Sequence, residues 1–196
     1  MSLRLETLAG AAARPHLASL AALRTEVFAE YPYLYAGDRE EEARYLATYA
    51  EGRGAAIVVA LEGETAVGAA TCQPMAETHG EVREAFARSG HDIAASCYFG
   101  ESVLRASYRG QGIGVGFFTA REAHARALGL RIATFCAVVR NPNDPRRPAD
   151  YTPLDAFWRK RGYVHHPELS CVMRWRELED DRETPHTLSF WVKELA

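Results

Sequence analysis

The sequence predicts a fold of the α/β or α+β class, with one sheet covered by helices. Two observations lead to this prediction. Helical and strand-like patterns alternate along most of the 196 residues. The apolar fraction of 47% and the charged fraction of 25% are those of a soluble globular protein. A chain of this length suits one domain, and we expect residues 1–196 to form it.

The first part of the chain gives strand and helix signals in turn. Apolar and polar residues alternate over residues 3–6, which predicts a short first strand. Apolar side chains at three- and four-residue steps predict a helix from Pro15 to about Glu30. A proline and a glycine then interrupt the pattern, and Asp38 is a suitable N-cap for a second helix.

The central and C-terminal parts complete the element order. Residues 55–61 and 66–72 are apolar runs separated by Glu-Gly-Glu, which predicts a hairpin. Residues 141–153 are rich in proline and charge, which predicts an irregular loop. The other predicted elements are helices at 81–88, 113–127 and 153–162, strands at 98–104 and 130–139, and closing strands at 169–175 and 187–192.

A glycine-rich run separates the strand that ends at Leu104 from the helix that follows. It reads Arg109-Gly110-Gln111-Gly112-Ile113-Gly114-Val115. Glycines let a ligand approach the main chain closely, and the N–H groups of a first helical turn have no intrahelical partner. Such a turn, with a guanidinium before it, suits phosphate groups. We therefore expect a pyrophosphate to bind the main chain from Gln111 to Val115.

The spacing of the run excludes two common phosphate loops and indicates a third. No Gly-Lys-Ser/Thr occurs in the chain, and the glycines lack the spacing of a dinucleotide fingerprint. A glycine-rich turn without a ligand remains the alternative. The pattern Arg-x-x-Gly-x-Gly between a strand and a helix resembles the acyl-CoA-binding motif of the GNAT superfamily of N-acyltransferases. Residues 103–108 resemble the strand that precedes that motif, and residues 157–163 resemble the family's second signature.

The resemblance implies a specific version of the fold and a function. It implies one mixed, mostly antiparallel sheet with helices on both faces, in which the parallel strands at 98–104 and 130–139 splay apart. It implies acetyl-CoA as cosubstrate and direct transfer of the acetyl group to a primary amine of a small molecule. The thioester carbonyl would bind strand backbone near Val103 or Leu104. Asn141 would contact the pantetheine arm, although an asparagine before proline also starts turns.

The catalytic residues are less clearly marked than the phosphate site. Glu101, on the strand predicted at 98–104, is our candidate general base. In a regular strand its side chain would share a face with those of Phe99 and Val103. The alternative is that Glu101 pairs with an arginine such as Arg105 and only stabilises the fold. The tyrosine that many family members use as general acid is replaced by Trp158, whose indole does not ionise usefully. The general acid stays unassigned, with Tyr151 and solvent as candidates.

Charge and composition restrict the partners. A net charge of −3 argues against nucleic acid as a ligand. Four dispersed cysteines in apolar runs indicate buried free thiols, and the histidines lack metal-ligand spacing, so we expect no metal site. With no apolar run long enough to span a membrane, we expect a cytoplasmic protein, and a homodimer is compatible with the sequence.

The acceptor is the least determined part of the function. Residues 24–44 contain six acids and three arginines, six minus three giving a local charge of −3, together with several tyrosines. This combination favours a cationic amine, with Glu26 and Glu30 as the candidate contacts. For Glu40–Glu42 the alternative is a solvated helix face. Two further functions stay open: transfer of a longer acyl chain, and a non-catalytic acyl-CoA sensor.

Overall fold

The computed structural model describes residues 3–78 and 80–196. The helices are α1 (Leu17–Phe28), α2 (Arg39–Glu51), α3 (Gly80–Ala87), α4 (Ile113–Ala127) and α5 (Asp155–Arg159). The strands are β1 (Leu3–Ala9), β2 (Ala56–Glu62), β3 (Thr65–Pro74), β4 (Ser96–Tyr98), β5 (Ser102–Leu104), β6 (Ile132–Val138), β7 (Val164–Trp175) and β8 (Thr184–Glu194). Short 3₁₀ turns occupy Gly10–His16, Met75–Glu77, Ile93–Ala95 and Ala106–Tyr108.

The element order agrees with the sequence prediction, and three of the differences in boundaries are the most informative. The first α-helix begins at Leu17, because Pro15 lies in a 3₁₀ turn that precedes it. The closing hairpin is longer than predicted and starts at Val164. The strand predicted over 98–104 is two strands, β4 and β5, with an irregular segment between them. This last difference matters most, because Glu101 lies in that segment.

The described strands form one mixed sheet in the order β1-β2-β3-β4-β6-β8-β7, with β5 paired to β3 beside β4. All the strand pairs are antiparallel except β4 and β6, which are parallel. The mostly antiparallel sheet with one parallel pair is therefore confirmed. The parallel pair lies in the middle of the sheet, between β3 and β8.

Helices cover both faces of this sheet, as predicted. On β2, Ile57 and Val59 pack in one cluster with α1 and α2, whereas Val58 and Ala60 pack on the opposite side against α4. The alternation follows from the two-residue period of a strand. Because both faces are buried, β2 is apolar almost throughout instead of alternating with polar residues.

The parallel pair opens after only a few residues. Ser96 to Tyr98 pair with β6 from Ile132 to Thr134, and the Phe99 N–H donates to Thr134 O at 2.8 Å. Beyond that point β5 pairs only with β3, and the rest of β6 pairs only with β8. The predicted splay is confirmed, and a cleft of about 1950 Å³ passes through it.

Three further observations concern the sequence expectations. The four cysteines are buried free thiols, as expected. Of the seven histidines, His79 lies outside the described residues; within those residues no group of histidine, cysteine and acidic side chains has the arrangement of a metal site. No helix in the described ranges is long and apolar enough to cross a membrane.

Candidate active site

The segment between β4 and β5 is a β-bulge at the mouth of the splay. Thr71 of β3 faces two residues at once: its carbonyl accepts from the Gly100 N–H at 3.2 Å, and its N–H donates to Glu101 O at 3.0 Å. The Glu101 N–H also donates to the Thr71 hydroxyl at 3.2 Å. A Cβ on Gly100 would lie 2.6 Å from that hydroxyl oxygen and closer still to the Tyr49 hydroxyl, so any other residue there would displace both hydroxyl groups.

The bulge changes the direction of the Glu101 side chain. Phe99 packs among residues of the α4 face, but Val103 belongs to the cluster of the α1 and α2 face. Glu101 lies on the α1 and α2 face with Val103, so the prediction that it shares a face with Phe99 is wrong. The physical reason is that one extra residue in a strand reverses the in–out alternation beyond it.

Glu101 is buried in a charged cluster at the corner of α1 and α2. One carboxylate oxygen lies 2.5 Å from Arg24 Nη1, and the other accepts from the Tyr45 hydroxyl at 3.0 Å. Arg24 also pairs closely with Glu42, which is only 3% exposed. The ion partner of Glu101 is therefore Arg24 and not Arg105, and Glu42 is not part of a solvated face. We call Arg24, Glu42, Tyr45 and Glu101 the acceptor corner.

The protonation of this corner follows from burial and charge. Burial would lower the pKa of Arg24, but Glu101, Tyr45 and Glu42 raise it above its usual value. Burial, and then the Glu101 carboxylate, raise the pKa of Tyr45 well above its usual value, so its hydroxyl stays a donor. Within the corner, Glu42 and Glu101 face one guanidinium, that of Arg24, and two minus one leaves one excess negative charge; the exposed Glu41 lines the cleft beside them.

The start of α4 has the backbone geometry that the glycine-rich run predicts. Gly110 and Gly112 have φ angles of 77° and 84°, and Gly112 is the N-cap. A Cβ at Gly112 would meet nothing within 4 Å, so the space in front of it is open. Among the described residues, no protein acceptor binds the N–H groups of Ile113, Gly114 and Val115. We call residues 110–115 the glycine cradle.

The strand backbone that faces the opening is that of Ser102 and Leu104. Thr71 and Glu101 form a hydrogen-bonded pair, and the Arg105 N–H donates to Val67 O at 3.0 Å. Because hydrogen-bonded pairs alternate in an antiparallel ladder, Val103 turns its backbone groups toward β3. Leu104 and Ser102 line the cleft, whereas Val103 is fully buried. Of the two residues that the sequence left open for the thioester carbonyl, the geometry favours Leu104.

The side chains beside the cradle are aromatic. Phe157 of α5 packs close to Gly114, since a Cβ there would lie 3.3 Å from its ring. Trp158 packs edge-on against Phe135 and Trp191, with ring centroids 5.1 Å and 5.0 Å away. Both α5 aromatics line the cleft and belong to the core on the α4 face. Trp158 therefore forms a wall where many family members carry a tyrosine.

The loop between α1 and α2 borders the cleft and belongs to the stretch 24–44 in which the sequence predicts acceptor contacts. Arg140, just after β6, donates to the carbonyls of Pro32 and Tyr33 and pairs with Glu177. The Trp175 indole N–H also donates to Tyr33 O, at 3.1 Å. These contacts hold the loop between α1 and α2 against the β7–β8 hairpin.

Several predicted site residues have other partners. Arg109 binds Glu30 at 2.7 Å and Leu104 O at 3.1 Å, beside the cradle. Asn141 is exposed, and its side-chain oxygen accepts from the Asn143 N–H at 2.9 Å, so the structure favours the turn-forming alternative.

Two other candidates also have defined contacts. Glu26 forms an exposed pair with Arg105. Tyr151 packs edge-on against Tyr31 and lines the cleft, and burial, then Tyr31, raise the pKa of Tyr151.

Sequence analysis did not predict the contacts of four polar residues of the site, although a signal existed for two of them. Arg24 follows Leu20 by four residues, and Arg121 follows Phe117 by four, so both arginines lie on helix faces that are otherwise apolar. A charged residue on an apolar stripe is buried with partners or marks a site. Glu42 and Tyr45 gave no such signal, because the acidic start of α2 is typical of a solvated helix.

Comparisons with known proteins agree with this architecture. The chain resembles the N-acetyltransferase from Staphylococcus aureus Mu50 at a TM-score of 0.64 and 14% identity, covering all of both chains. It resembles the ribosomal-protein-alanine N-acetyltransferase from Brucella melitensis at 0.63 and 16%, again over both whole chains. A GNAT superfamily phosphinothricin acetyltransferase from Sinorhizobium meliloti, solved in complex with AcCoA, gives 0.60 and 18% over all of this chain and 90% of that one.

These identities are low enough that the structural likeness shows the fold alone. Curated protein sequences give no significant match. The model of the Acetyltransferase (GNAT) family, however, matches residues 20–163, which is well over half of the chain. The splayed parallel pair, the glycine cradle and this match lead to one conclusion: the protein is an acyltransferase that belongs to the GNAT acetyltransferase family.

Proposed function

We propose that the protein is an N-acetyltransferase that moves the acetyl group of acetyl-CoA directly to a primary amine of a small molecule. The observation that carries this proposal is the position of the splay between two different sites. The glycine cradle lies on the α4 side, and the acceptor corner lies on the α1 and α2 side. Substrates bound at the two sites would meet in the opening between β5 and β6, beyond the paired residues of β4 and β6.

The residues at the cradle fit the phosphate end of acetyl-CoA. Unpaired N–H groups at the start of a helix attract anions, and the positive end of the helix dipole adds to this attraction. Arg109 borders the same space and is half-exposed, so its pair with Glu30 is open to exchange with phosphate oxygens. The proposed contacts are Arg109, the cradle itself from Gly110 to Val115, and the backbone of Leu104.

Glu101 is the proposed general base. In the transfer the amine nitrogen forms a bond to the thioester carbon, the carbon–sulfur bond breaks, and CoA leaves as its thiolate. The proton that the amine loses passes to the Glu101 carboxylate, directly or through water. Arg24 and Tyr45 hold that carboxylate in place. Much of the rate gain would come from bringing the two substrates together.

The acceptor corner favours an amine that carries a second positive charge. The corner has one more negative than positive charge, the neighbouring Glu41 adds a second, and Tyr31, Tyr33 and Trp175 line the cleft with aromatic faces. Acids with aromatic rings attract cations through charge and through cation–π contact. The proposed acidic contact is Glu41, which lines the cleft, because Glu26, Glu30 and Glu42 pair with Arg105, Arg109 and Arg24 respectively.

The test is a measurement of CoA release from acetyl-CoA over a panel of amines, with polyamines, amino sugars and basic amino-acid derivatives beside neutral and acidic amines. Turnover on cationic primary amines is the expected result. Binding of acetyl-CoA without turnover on any amine would instead support the sensor function, which the tryptophan at position 158 favours. Faster release of CoA from a longer acyl-CoA than from acetyl-CoA would show that the longer acyl-CoA is the donor.

Glu101→Gln tests the base in the same assay. Its turnover should fall by about 10²-fold, the usual scale for a lost general base, while acetyl-CoA affinity stays unchanged. The acidic limb of the pH–rate profile should disappear with it. Near-normal turnover in a variant with a lowered melting temperature would show that Glu101 only stabilises the fold.

A further inference from the structure

Arg121 is a buried cation that the proposed reaction does not use. It lies in the middle of α4, is 2% exposed and borders the cleft. In the described part of the chain its hydrogen bonds go to three main-chain carbonyls and to no carboxylate. Its guanidinium lies 4.4 Å from the centre of the Phe99 ring and 4.8 Å from that of Phe118.

Such a position is costly for an arginine. An unpaired charge in an apolar interior costs several kcal/mol unless polar groups satisfy it, and burial lowers the pKa of Arg121. Its neighbours on the same helix face, Phe117 and Ala125, are apolar and buried. An apolar side chain would fill the position at lower cost. We therefore look for the role of Arg121 in the carbonyl groups to which it donates hydrogen bonds.

Two of these carbonyls belong to the bulge. Arg121 Nη1 donates to Thr71 O at 3.4 Å and to Glu101 O at 3.3 Å. Each carbonyl already accepts a ladder bond, from the Gly100 and Thr71 N–H groups respectively. One charged nitrogen thus bridges the two strands where the bulge disrupts the regular ladder. Both distances are long for hydrogen bonds, so the attraction between the guanidinium charge and the two carbonyl dipoles contributes much of the interaction.

We infer that Arg121 is a positioning residue: by bridging the Thr71 and Glu101 carbonyls, it holds the bulge that turns the Glu101 carboxylate toward the acceptor corner. The catalytic part of this inference rests on the proposed function, but the bridge itself does not. Arg121 acts from the α4 face and Glu101 acts on the opposite face, so the bulge connects the two sides of the sheet.

The test uses Arg121→Met, which keeps an apolar stem without donors, and Arg121→Lys, which keeps the charge and a donor. Arg126→Met is the matched control, because Arg126 lies on the same helix and binds Ala196 O, far from the bulge in sequence. In Arg121→Met, hydrogen exchange at the Gly100 and Glu101 amides should rise at least about tenfold, the scale of one charge-assisted bond. Arg121→Lys should recover part of the protection, and the control should match wild type.

Kinetics then separate positioning from general stability. Arg121→Met should lower kcat about tenfold with an unchanged KM for acetyl-CoA, and the same change in a Glu101→Gln background should cost far less. An equal kcat loss in both backgrounds, or wild-type exchange in Arg121→Met, would overturn the inference. If that variant does not fold, Arg121→Gln, which is uncharged and too short to reach both carbonyls, is judged by the same two criteria. Absence of turnover in the wild-type protein would refute the proposed function. The hydrogen-exchange data would still show whether Arg121 holds the bulge by bridging the Thr71 and Glu101 carbonyls.

Discussion

The two ends of the cleft are built in opposite ways. The glycine cradle consists of main-chain N–H groups from one continuous stretch, residues 110–115, and its space is kept open by missing side chains. The acceptor corner consists of side chains from three separated elements, Arg24 of α1, Glu42 and Tyr45 of α2, and Glu101 beside β5. The cradle depends on local backbone conformation, whereas the corner depends on a balance of buried charges.

This difference predicts how each end responds to mutation. Altering the cradle should weaken ligand binding and cost only the strain of a side chain at positive φ, because no buried charge loses its partner there. Altering the corner should cost stability first, because removing one buried charge leaves its partners unpaired.

The largest expected effect is on the corner. Arg24→Met removes the cation between Glu42 and Glu101, both less than a tenth exposed, and should lower the free energy of unfolding by about 3–5 kcal/mol. Urea denaturation measures this change. Arg105→Met is the matched control, since its pair with Glu26 is largely exposed, and it should cost less than about 1 kcal/mol. Similar losses in the free energy of unfolding in the two variants would show that the buried charges of the corner contribute no more to stability than an exposed ion pair.

The second effect is on the cradle. Gly112→Ala and Gly129→Ala sit at the two ends of α4, both at positive φ, 84° and 75°, and in both a Cβ meets nothing within 4 Å. They should therefore share the same backbone strain, about 1–3 kcal/mol. Only Gly112→Ala should lower CoA affinity by calorimetry, about tenfold or more, because only there does the methyl group enter the space of the phosphates. Equal affinity in both variants would refute the cradle assignment.

A smaller effect tests the charge of the corner. Glu41→Gln should raise the KM for a cationic amine by a few-fold and reduce its dependence on salt, because Glu41 lines the cleft. Glu40→Gln changes the adjacent residue on the same helix, which does not line it, and should leave KM unchanged. The KM for acetyl-CoA should stay constant in both. A best acceptor that is anionic, or one without salt dependence, would contradict the cationic assignment.

The smallest effect concerns His186 of β8, whose ring stacks on that of Trp175. Burial and Arg140 lower the pKa of His186 below its usual value, although Trp175 O and Glu177 act in the other direction. A depressed pKa means that the folded state resists protonation. The stability is therefore present above about pH 6.5 and is lost as the pH falls. His186→Gln should flatten the decline of Tm between pH 7 and pH 5. An unchanged pH dependence of Tm would show that protonation of His186 does not lower the stability of the folded protein in this range.

Sequence reasoning located the cradle because everything needed for it lies in one short stretch. The start of α4 was predicted at Ile113, and the structure begins the helix there, since glycines before it and apolar spacing after it act locally. The splay also followed, although only through the family resemblance. The faces of β5 did not follow, because one extra residue opposite Thr71 reverses the alternation and leaves no mark in the hydrophobic pattern.

By itself, then, the sequence determined the class of fold, the order of its elements and the position of the glycine-rich start of α4. Those features arise from interactions between residues close together in the chain. Only the tertiary structure decided that Arg24, not Arg105, pairs with Glu101, that Glu42 is buried, and that Arg121 bridges the bulge. Each of these contacts joins residues 18 or more positions apart, and its energy depends on burial, which no local pattern specifies.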